Sequence, residues 1–318
     1  MVGSARVFCV ALTLVGVVLC ANSDNEAVVP GKAGDSISGD EDGWQAFPDS
    51  CNELFDPELS YRAEPISREF SLLTWNIEKG QNADWIFDLT HHLPEADIVL
   101  FQEAALESGQ EQLSLPAKQK FTQYFAPGYQ QGNRKTGVLT ASRWAAASDC
   151  ALTAIEPWLG TPKASSLARF QLAAAESAEP PGDVTSDGQQ AELINRMIAE
   201  PLTLLIVNVH AINFALGLDA YTSQFEAIGR VIASHPGPLI VGGDFNTWSE
   251  QRTEWLEDFL GQFGLAGISF DPDYRTAIFS RPIDHLYVRG LEVESSRVVQ
   301  VDTSDHNPLW IRVKLHDA

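Results

Sequence analysis

Pro238-Leu-Ile-Val-Gly-Gly-Asp244-Phe-Asn246 reads as a short apolar strand that runs without a break into a carboxylate. The two glycines allow close approach of neighbouring backbone. Asp244 and Asn246, one residue apart, leave the strand on the same side of the chain. Alone, that pair also reads as an Asx-turn leading into a helix. The pattern repeats elsewhere, however. Phe70-Ser-Leu-Leu-Thr-Trp ends on Asn76, and Asp97-Ile-Val-Leu-Phe runs into Gln102-Glu103. The β-branched run 202–209 ends on His210. Four apolar strands that each deliver a residue of metal-ligand or acid-base type suggest one site at the strand ends of an α/β sheet.

Helical spacing separates these strands. Residues 83–93 place Trp85, Ile86, Leu89 and Leu93 on one face before Pro94, and 220–234 do the same with Tyr221, Phe225, Ile228 and Ile232. A third helix is expected over 252–263. Further strands are expected at 137–142, 150–155, 166–172, 283–288, 291–301 and 309–313. Residues 176–200, acidic and containing Pro180-Pro181-Gly182, read as a loop with a short helix. No internal repeat is visible.

The chain has 318 residues, 44% of them hydrophobic, with 8 tryptophans, enough for a large core. Its 21 Lys+Arg against 43 Asp+Glu give a net charge of -22, so it lacks the general basic face of a plain nucleic-acid binder. The acid is uneven, because residues 21–70 hold 12 acidic and 3 basic side chains. Arg6, the apolar run 7–20 and Ala21-Asn22-Ser23 read as a signal peptide over 1–23, with an uncleaved anchor as the other reading. Export to a secreted or periplasmic location is the expectation. An acidic tail or linker over 24–69 and a domain over 70–318 follow. Removal of 1–23 leaves Cys51 and Cys150, which form one disulfide in an oxidising compartment or are two unrelated cysteines.

Six motifs in order complete the pattern: Leu72-Leu-Thr-Trp-Asn76, Phe101-Gln-Glu103, Asn208-Val-His210, Gly243-Asp244-Phe-Asn246, Ile283-Asp284 and Ser304-Asp305-His306. From about Phe70 to Val313 the chain resembles the endonuclease/exonuclease/phosphatase superfamily. Through His210-Ala-Ile-Asn-Phe-Ala-Leu-Gly and Ser304-Asp-His-Asn-Pro-Leu it is most similar to the bacterial YafD-like branch. The resemblance implies a four-layer α/β sandwich, two facing mixed β-sheets flanked by helices. It also implies hydrolysis of a phosphate ester by direct attack of water, dependent on Mg²⁺ or Mn²⁺.

Phosphoester hydrolysis needs charge stabilisation on phosphate oxygens, a positioned water and help for the leaving oxygen. By resemblance Glu103 holds the metal, with Glu78 and Asp305 as further carboxylates, the donor type that hard cations prefer. Asp244 orients or deprotonates water. His306, backed by Asp284, is the acid-base group, because a hydrogen-bonded carboxylate fixes the imidazole tautomer and raises its pKa. His210 assists the leaving oxygen. Asn76, Asn213 and Asn246 contact phosphate, although Asn213 also reads as a plain loop residue. Basic residues (Lys79, Arg134, Lys135, Arg143, Lys163, Arg169, Arg275, Arg281) look scattered, and no hydrophobic hairpin for a membrane is evident. The expected partner is a phosphate-ester substrate. A phosphodiester of nucleic acid or nucleotide type comes first, and a small phosphorylated molecule or lipid headgroup is the alternative. No stable protein partner is implied, and a monomer is expected. A non-catalytic binding protein is disfavoured by the intact set of site residues.

Overall fold

The computed structural model describes residues 63–173 and 202–316 apart from 93–94, 108, 116–119, 132, 158 and 216. It also describes the short stretches 8–11, 18–21, 44–45, 51 and 53–56. In chain order the main strands are β1 (Glu69–Asn76), β2 (Ile98–Glu107), β3 (Thr122–Gln131), β4 (Arg134–Ser142), β5 (Ser148–Ile155) and β6 (Pro162–Gln171). They continue as β7 (Thr203–His210), β8 (Leu239–Asp244), β9 (Asp284–Arg289), β10 (Leu291–Val298) and β11 (Leu309–Leu315). The main helices are α1 (Trp85–His92), α2 (Asp219–Ile232) and α3 (Glu250–Gly261).

Six strands form one sheet in the order β10-β11-β1-β2-β4-β3. Seven form the other, β9-β8-β7-β6-β5 flanked by the two-residue strands Ala266–Gly267 and Trp44–Gln45. Each sheet has one parallel pair at its centre, β1 with β2 and β7 with β8. A helix makes each crossover, α1 in the first case and α2 in the second. The other pairings among the named strands are antiparallel.

Side-chain alternation explains the layers. Phe70 and Leu72 of β1, Ile98 and Leu100 of β2, and Leu204 and Ile206 of β7 share one buried cluster between the sheets. The residues between them point outward. Leu73, Trp75, Val99 and Phe101 pack with Trp85 and Leu89 of α1. Leu205, Val207, Val209 and Val241 pack with Phe225 and Ile228 of α2 and Leu256 and Leu260 of α3. Both faces of both sheets are therefore apolar, which is why these strands read as continuous hydrophobic runs. Each fully buried Leu or Ile contributes about 2 kcal/mol. The result is the expected four-layer sandwich.

Several expectations change. β3 was not expected, because Pro127-Gly128 interrupts its sequence. It lies at a sheet edge, where the ladder with β4 shifts register between Pro127 and Tyr129. The segment 24–69 is not all tail: Leu54 and Ile66 are buried core residues, and Cys51 is disulfide-bonded to Cys150 of β5 with Cα atoms 5.2 Å apart. In the expected targeting segment, Phe8–Ala11 and Val18–Ala21 pair as antiparallel strands. The rest of 1–23 and the acidic loop 176–200 lie outside the described residues. A two-stranded hairpin, Ala277–Ile278 with Arg281–Pro282, carries the exposed Phe279 at its tip, a short apolar projection that the sequence did not reveal. Among the described residues, no helix is long and apolar enough to cross a membrane.

Candidate active site

Register brings the strand-end residues into rows. In the seven-stranded sheet His210 pairs with Asp244, and Asp244 pairs with Asp284, so three neighbouring strands present one residue each on a single rung. In the six-stranded sheet Asn76 pairs with Gln102. Gly243 makes the first row feasible: its φ is 141°, and a Cβ there would meet the Val209 carbonyl oxygen at 2.0 Å.

Glu103 is aimed by a β-bulge. The β2–β4 ladder slips between Phe101 and Ala104, and Glu103 takes φ 52°. Gln102 consequently stays inside while Glu103 turns outward to partial exposure. Asn246 also has positive φ, 50°. Such backbone in non-glycine residues gathers where side-chain placement matters more than local ease.

His306 lies in the loop before β11, not at a strand end, and three bonds hold that loop. Trp75 Nε1 donates to the His306 carbonyl at 2.8 Å, Ser304 Oγ donates to the Asn76 carbonyl at 2.7 Å, and the His306 N–H donates to Ser304 Oγ at 3.2 Å. The imidazole Nδ1 meets both oxygens of Asp284, at 2.8 and 3.0 Å. Its Nε2 faces Asp244 Oδ2 at 3.9 Å. Burial alone would lower the His306 pKa. The charge and hydrogen bond of Asp284, helped by Asp244 and Asp305, outweigh burial and push it up to about 10. The ring is thus an imidazolium at neutral pH.

Asp244 is fully enclosed, and burial raises its pKa to about 6, with His306 pulling the other way. Asn76 Nδ2 donates to its Oδ2 at 3.1 Å and the Asn246 N–H donates to its Oδ1 at 3.0 Å. His210 Nε2 lies 3.6 Å from Asp244 and 3.9 Å from Glu103, but its nearest partner is Lys163 Nζ at 2.9 Å. Burial first, and then the charges of Lys163, His306 and Lys79, hold His210 well below its ordinary pKa. An ammonium can only donate, so Nε2 is the acceptor nitrogen of a neutral ring.

The carboxylates expected to hold metal form a second group beside this one. The Glu78 carboxyl is raised by burial and by the charges of Asp305 and Glu103, so all three share one electrostatic neighbourhood. Carboxylates are the donor type that a hard divalent cation prefers. The donor atoms of Asp244, Asp284 and His306 also lie within 4.8 Å of one another. Asp284 is engaged by the histidine and Asp244 by two amide donors, whereas the Glu78, Glu103 and Asp305 carboxyls are not among the described groups whose donor atoms come that close together.

Two expected phosphate contacts are engaged elsewhere. Asn246 Nδ2 donates to the Ala211 carbonyl at 3.0 Å, and Asn213 Oδ1 accepts from Trp248 Nε1 at 3.1 Å. Sequence reasoning also missed several residues. Lys79 and Lys163 converge on the site, Lys79 Nζ reaching Glu103 Oε2 at 3.1 Å. Buried Arg252 donates to the carbonyls of Ile212, Asn213 and Asn246, tying two site loops together. Between the sheets Gln102 Nε2 donates to Asn208 Oδ1 at 2.7 Å, while Asn208 Nδ2 donates to the Phe101 and Leu139 carbonyls. Gln102 and Asn208 sit inside the quoted tripeptides, the one signal that marked them.

Two facing sheets with this rung of carboxylate and histidine side chains place the protein among hydrolases of phosphate esters, of the nuclease and phosphatase type. The chain belongs to the Endonuclease/Exonuclease/phosphatase family, whose profile matches residues 73–306. Relatives from Vibrio vulnificus and Yersinia enterocolitica carry UPF0294 names and fit the YafD-like bacterial branch. One from Vibrio vulnificus strain YJ016 is 35% identical over 261 residues, 81% of this chain and 82% of its own length. Another from Erwinia tasmaniensis is 33% identical over 247 residues, 78% of this chain and 82% of its own. Among solved structures, a family member from Leptotrichia buccalis superposes with a TM-score of 0.53 at 14% identity, covering 78% of this chain and 100% of its own. The human Nocturnin catalytic domain, with bound sulfate, gives 0.53 at 14% identity, covering 81% and 99%. At that identity both establish the fold alone.

Proposed function

We propose that the protein is a divalent-metal-dependent phosphodiesterase. The observation that carries this reading is the Asp284–His306 pair, 2.8 Å apart, whose far ring nitrogen faces Asp244. An imidazolium held by a carboxylate stabilises charge on a phosphate oxygen, and the buried Asp244 carboxylate accepts the proton of an attacking water. Asn76 orients Asp244 through its amide. Asn213 accepts from Trp248 through Oδ1 and keeps its Nδ2 for a phosphate oxygen, and Asn246 keeps the second hydrogen of its Nδ2 beside the bond to the Ala211 carbonyl. His210, neutral and bonded to Lys163, acts beside the leaving oxygen together with that lysine. Glu78, Glu103 and Asp305 would hold Mg²⁺ or Mn²⁺, which when bound neutralises phosphate charge and polarises the phosphorus–oxygen bonds. A diester carries one negative charge and suits a site rich in carboxylates better than a doubly charged monoester.

The test compares bis-p-nitrophenyl phosphate with p-nitrophenyl phosphate, in Mg²⁺, in Mn²⁺ and in EDTA, for wild type and His306→Ala. Diester cleavage that chelation stops and His306→Ala loses is expected. Preference for the monoester would move the activity to a phosphatase, and turnover untouched by EDTA would remove the metal. Secretion after removal of residues 1–23 belongs to the same proposal and is checked by the N-terminus of exported protein.

A further inference from the structure

The chain bends sharply after Asn76. Glu78, Lys79 and Gly80 are all left-handed, with φ of 46°, 60° and 63°. Only glycine adopts that region without steric cost, so a glutamate and a lysine held there are over-determined by their surroundings. Arg134 donates to the Lys79 carbonyl, and the Glu78 N–H donates to Asn76 Oδ1 at 3.1 Å. A Cβ on Gly80 would approach Trp85 Nε1 to 2.8 Å, so the turn is also packed from behind. What the bend delivers is the Lys79 ammonium, 3.1 Å from Glu103 Oε2 and hydrogen-bonded to Tyr129. The paired side chains are 32% and 20% exposed, too enclosed for a solvated surface pair. Glu103 is itself turned outward by the bulge in β2, so two unusual backbone segments from different elements converge on one ion pair.

We propose that Lys79 is the resident counter-ion of Glu103, which a divalent cation must displace, so that Lys79 sets how tightly the protein binds its metal. This rests on the role given above to Glu103. A divalent ion bound directly to that carboxylate and an ammonium in hydrogen-bonding contact with it compete for the same oxygens and repel each other. Without a cation, Lys79 keeps the crowded group of Glu78, Glu103 and Asp305 from being an uncompensated cluster of like charge. With the cation bound, the lysine is released toward the substrate side. Lys163 serves as an internal comparison: it is a second lysine of the same site, but it touches His210 and not Glu103.

Mn²⁺ titration of the full chain, read by the electron paramagnetic resonance signal of free Mn²⁺, tests this without any substrate. Lys79→Met and Lys79→Gln should each bind Mn²⁺ about three- to tenfold more tightly than wild type, the range expected for loss of one competing ion pair. Lys163→Met should change affinity by less than about twofold, since a screened neighbouring charge acts weakly. Glu103→Gln should weaken binding in either background. Equal or weaker binding by both Lys79 variants, with wild type still binding Mn²⁺, would overturn the role of Lys79 and leave the metal site standing. Equal tightening by Lys163→Met would reduce the effect to general charge and overturn the displacement. No Mn²⁺ binding by wild type or any variant would bring down the metal reading and this inference together.

Discussion

At the scale of single residues, Asp284 spends both its oxygens on one ring nitrogen of His306, at 2.8 and 3.0 Å, and this fixes which nitrogen faces Asp244. Asp284→Asn keeps the shape and removes the charge. We expect kcat for the diester to fall by about 10²- to 10⁴-fold while far-ultraviolet circular dichroism stays native. Excess Mg²⁺ should not restore it, because the lost group is not the metal's; rescue by metal would return Asp284 to the metal site. Asp244 was legible from its place after an apolar run, and His306 from the resemblance of the Ser304-Asp305-His306 motif. Both are buried. Lys79 and Lys163 were not legible, since a lysine in a loop and another on a strand carry no mark of where their ammonium groups go. A left-handed turn in one case and strand alternation in the other send both to the same place. Arg252 is a stronger example: in the sequence it is an ordinary helical arginine, and in the fold it is fully buried between Tyr221 and Trp248.

At the scale of elements, the pattern of apolar runs located almost every strand and helix, usually to within a few residues. Such runs cannot tell which faces are covered, and on these strands both are. The turn from α2 into β8 has its own chemistry. His235 is buried there, stacked on Phe55, and its Nε2–H donates to the Pro238 carbonyl at 2.8 Å. Burial lowers its pKa to about 4, although that hydrogen bond works in the opposite direction. In the unfolded chain a histidine titrates near 6.5, so as pH falls the unfolded state takes up the proton first. The neutral ring therefore gives its full support above about pH 6.5, and that support is lost progressively as pH falls toward 4, by about 3 kcal/mol in all. Urea denaturation at pH 7.5 and at pH 4.5 should show His235→Gln losing markedly less stability than wild type across that interval. Equal losses would mean that another group carries the acid sensitivity.

At the scale of the whole molecule, two βαβ units face each other, and neither holds the site alone. Asn76 and Glu103 come from one sheet, and His210, Asp244 and Asp284 from the other. The facing arrangement entered through the resemblance of six short motifs, because periodicity describes one strand at a time. The extent of the folded body was less legible: an acidic, glycine-rich composition hid the packed residues Leu54 and Ile66. The Cys51–Cys150 bond ties this segment to β5 across a sequence separation of 99 residues. Loop closure of that length stabilises by about 5 kcal/mol in the chain-entropy account. Dithiothreitol should therefore lower the melting temperature of wild type and leave that of the Cys51→Ser, Cys150→Ser double variant unchanged. A wild-type melting temperature indifferent to reductant would show that the bond is not formed or does not constrain the chain.

The amide pair of Gln102 and Asn208, locked at 2.7 Å beneath the site, acts like a dowel between two plates. Apolar side chains alone would let one sheet settle against the other in several offsets, whereas a polar pair with fixed partners accepts one. Alignment and chemistry therefore arrive together. A half-built chain, however rich in secondary structure, has Asp244 on one plate and Glu103 on the other. On the proposed reading such a chain lacks an assembled site, and the ability to cut a phosphate ester comes only with the closing of the two plates on each other.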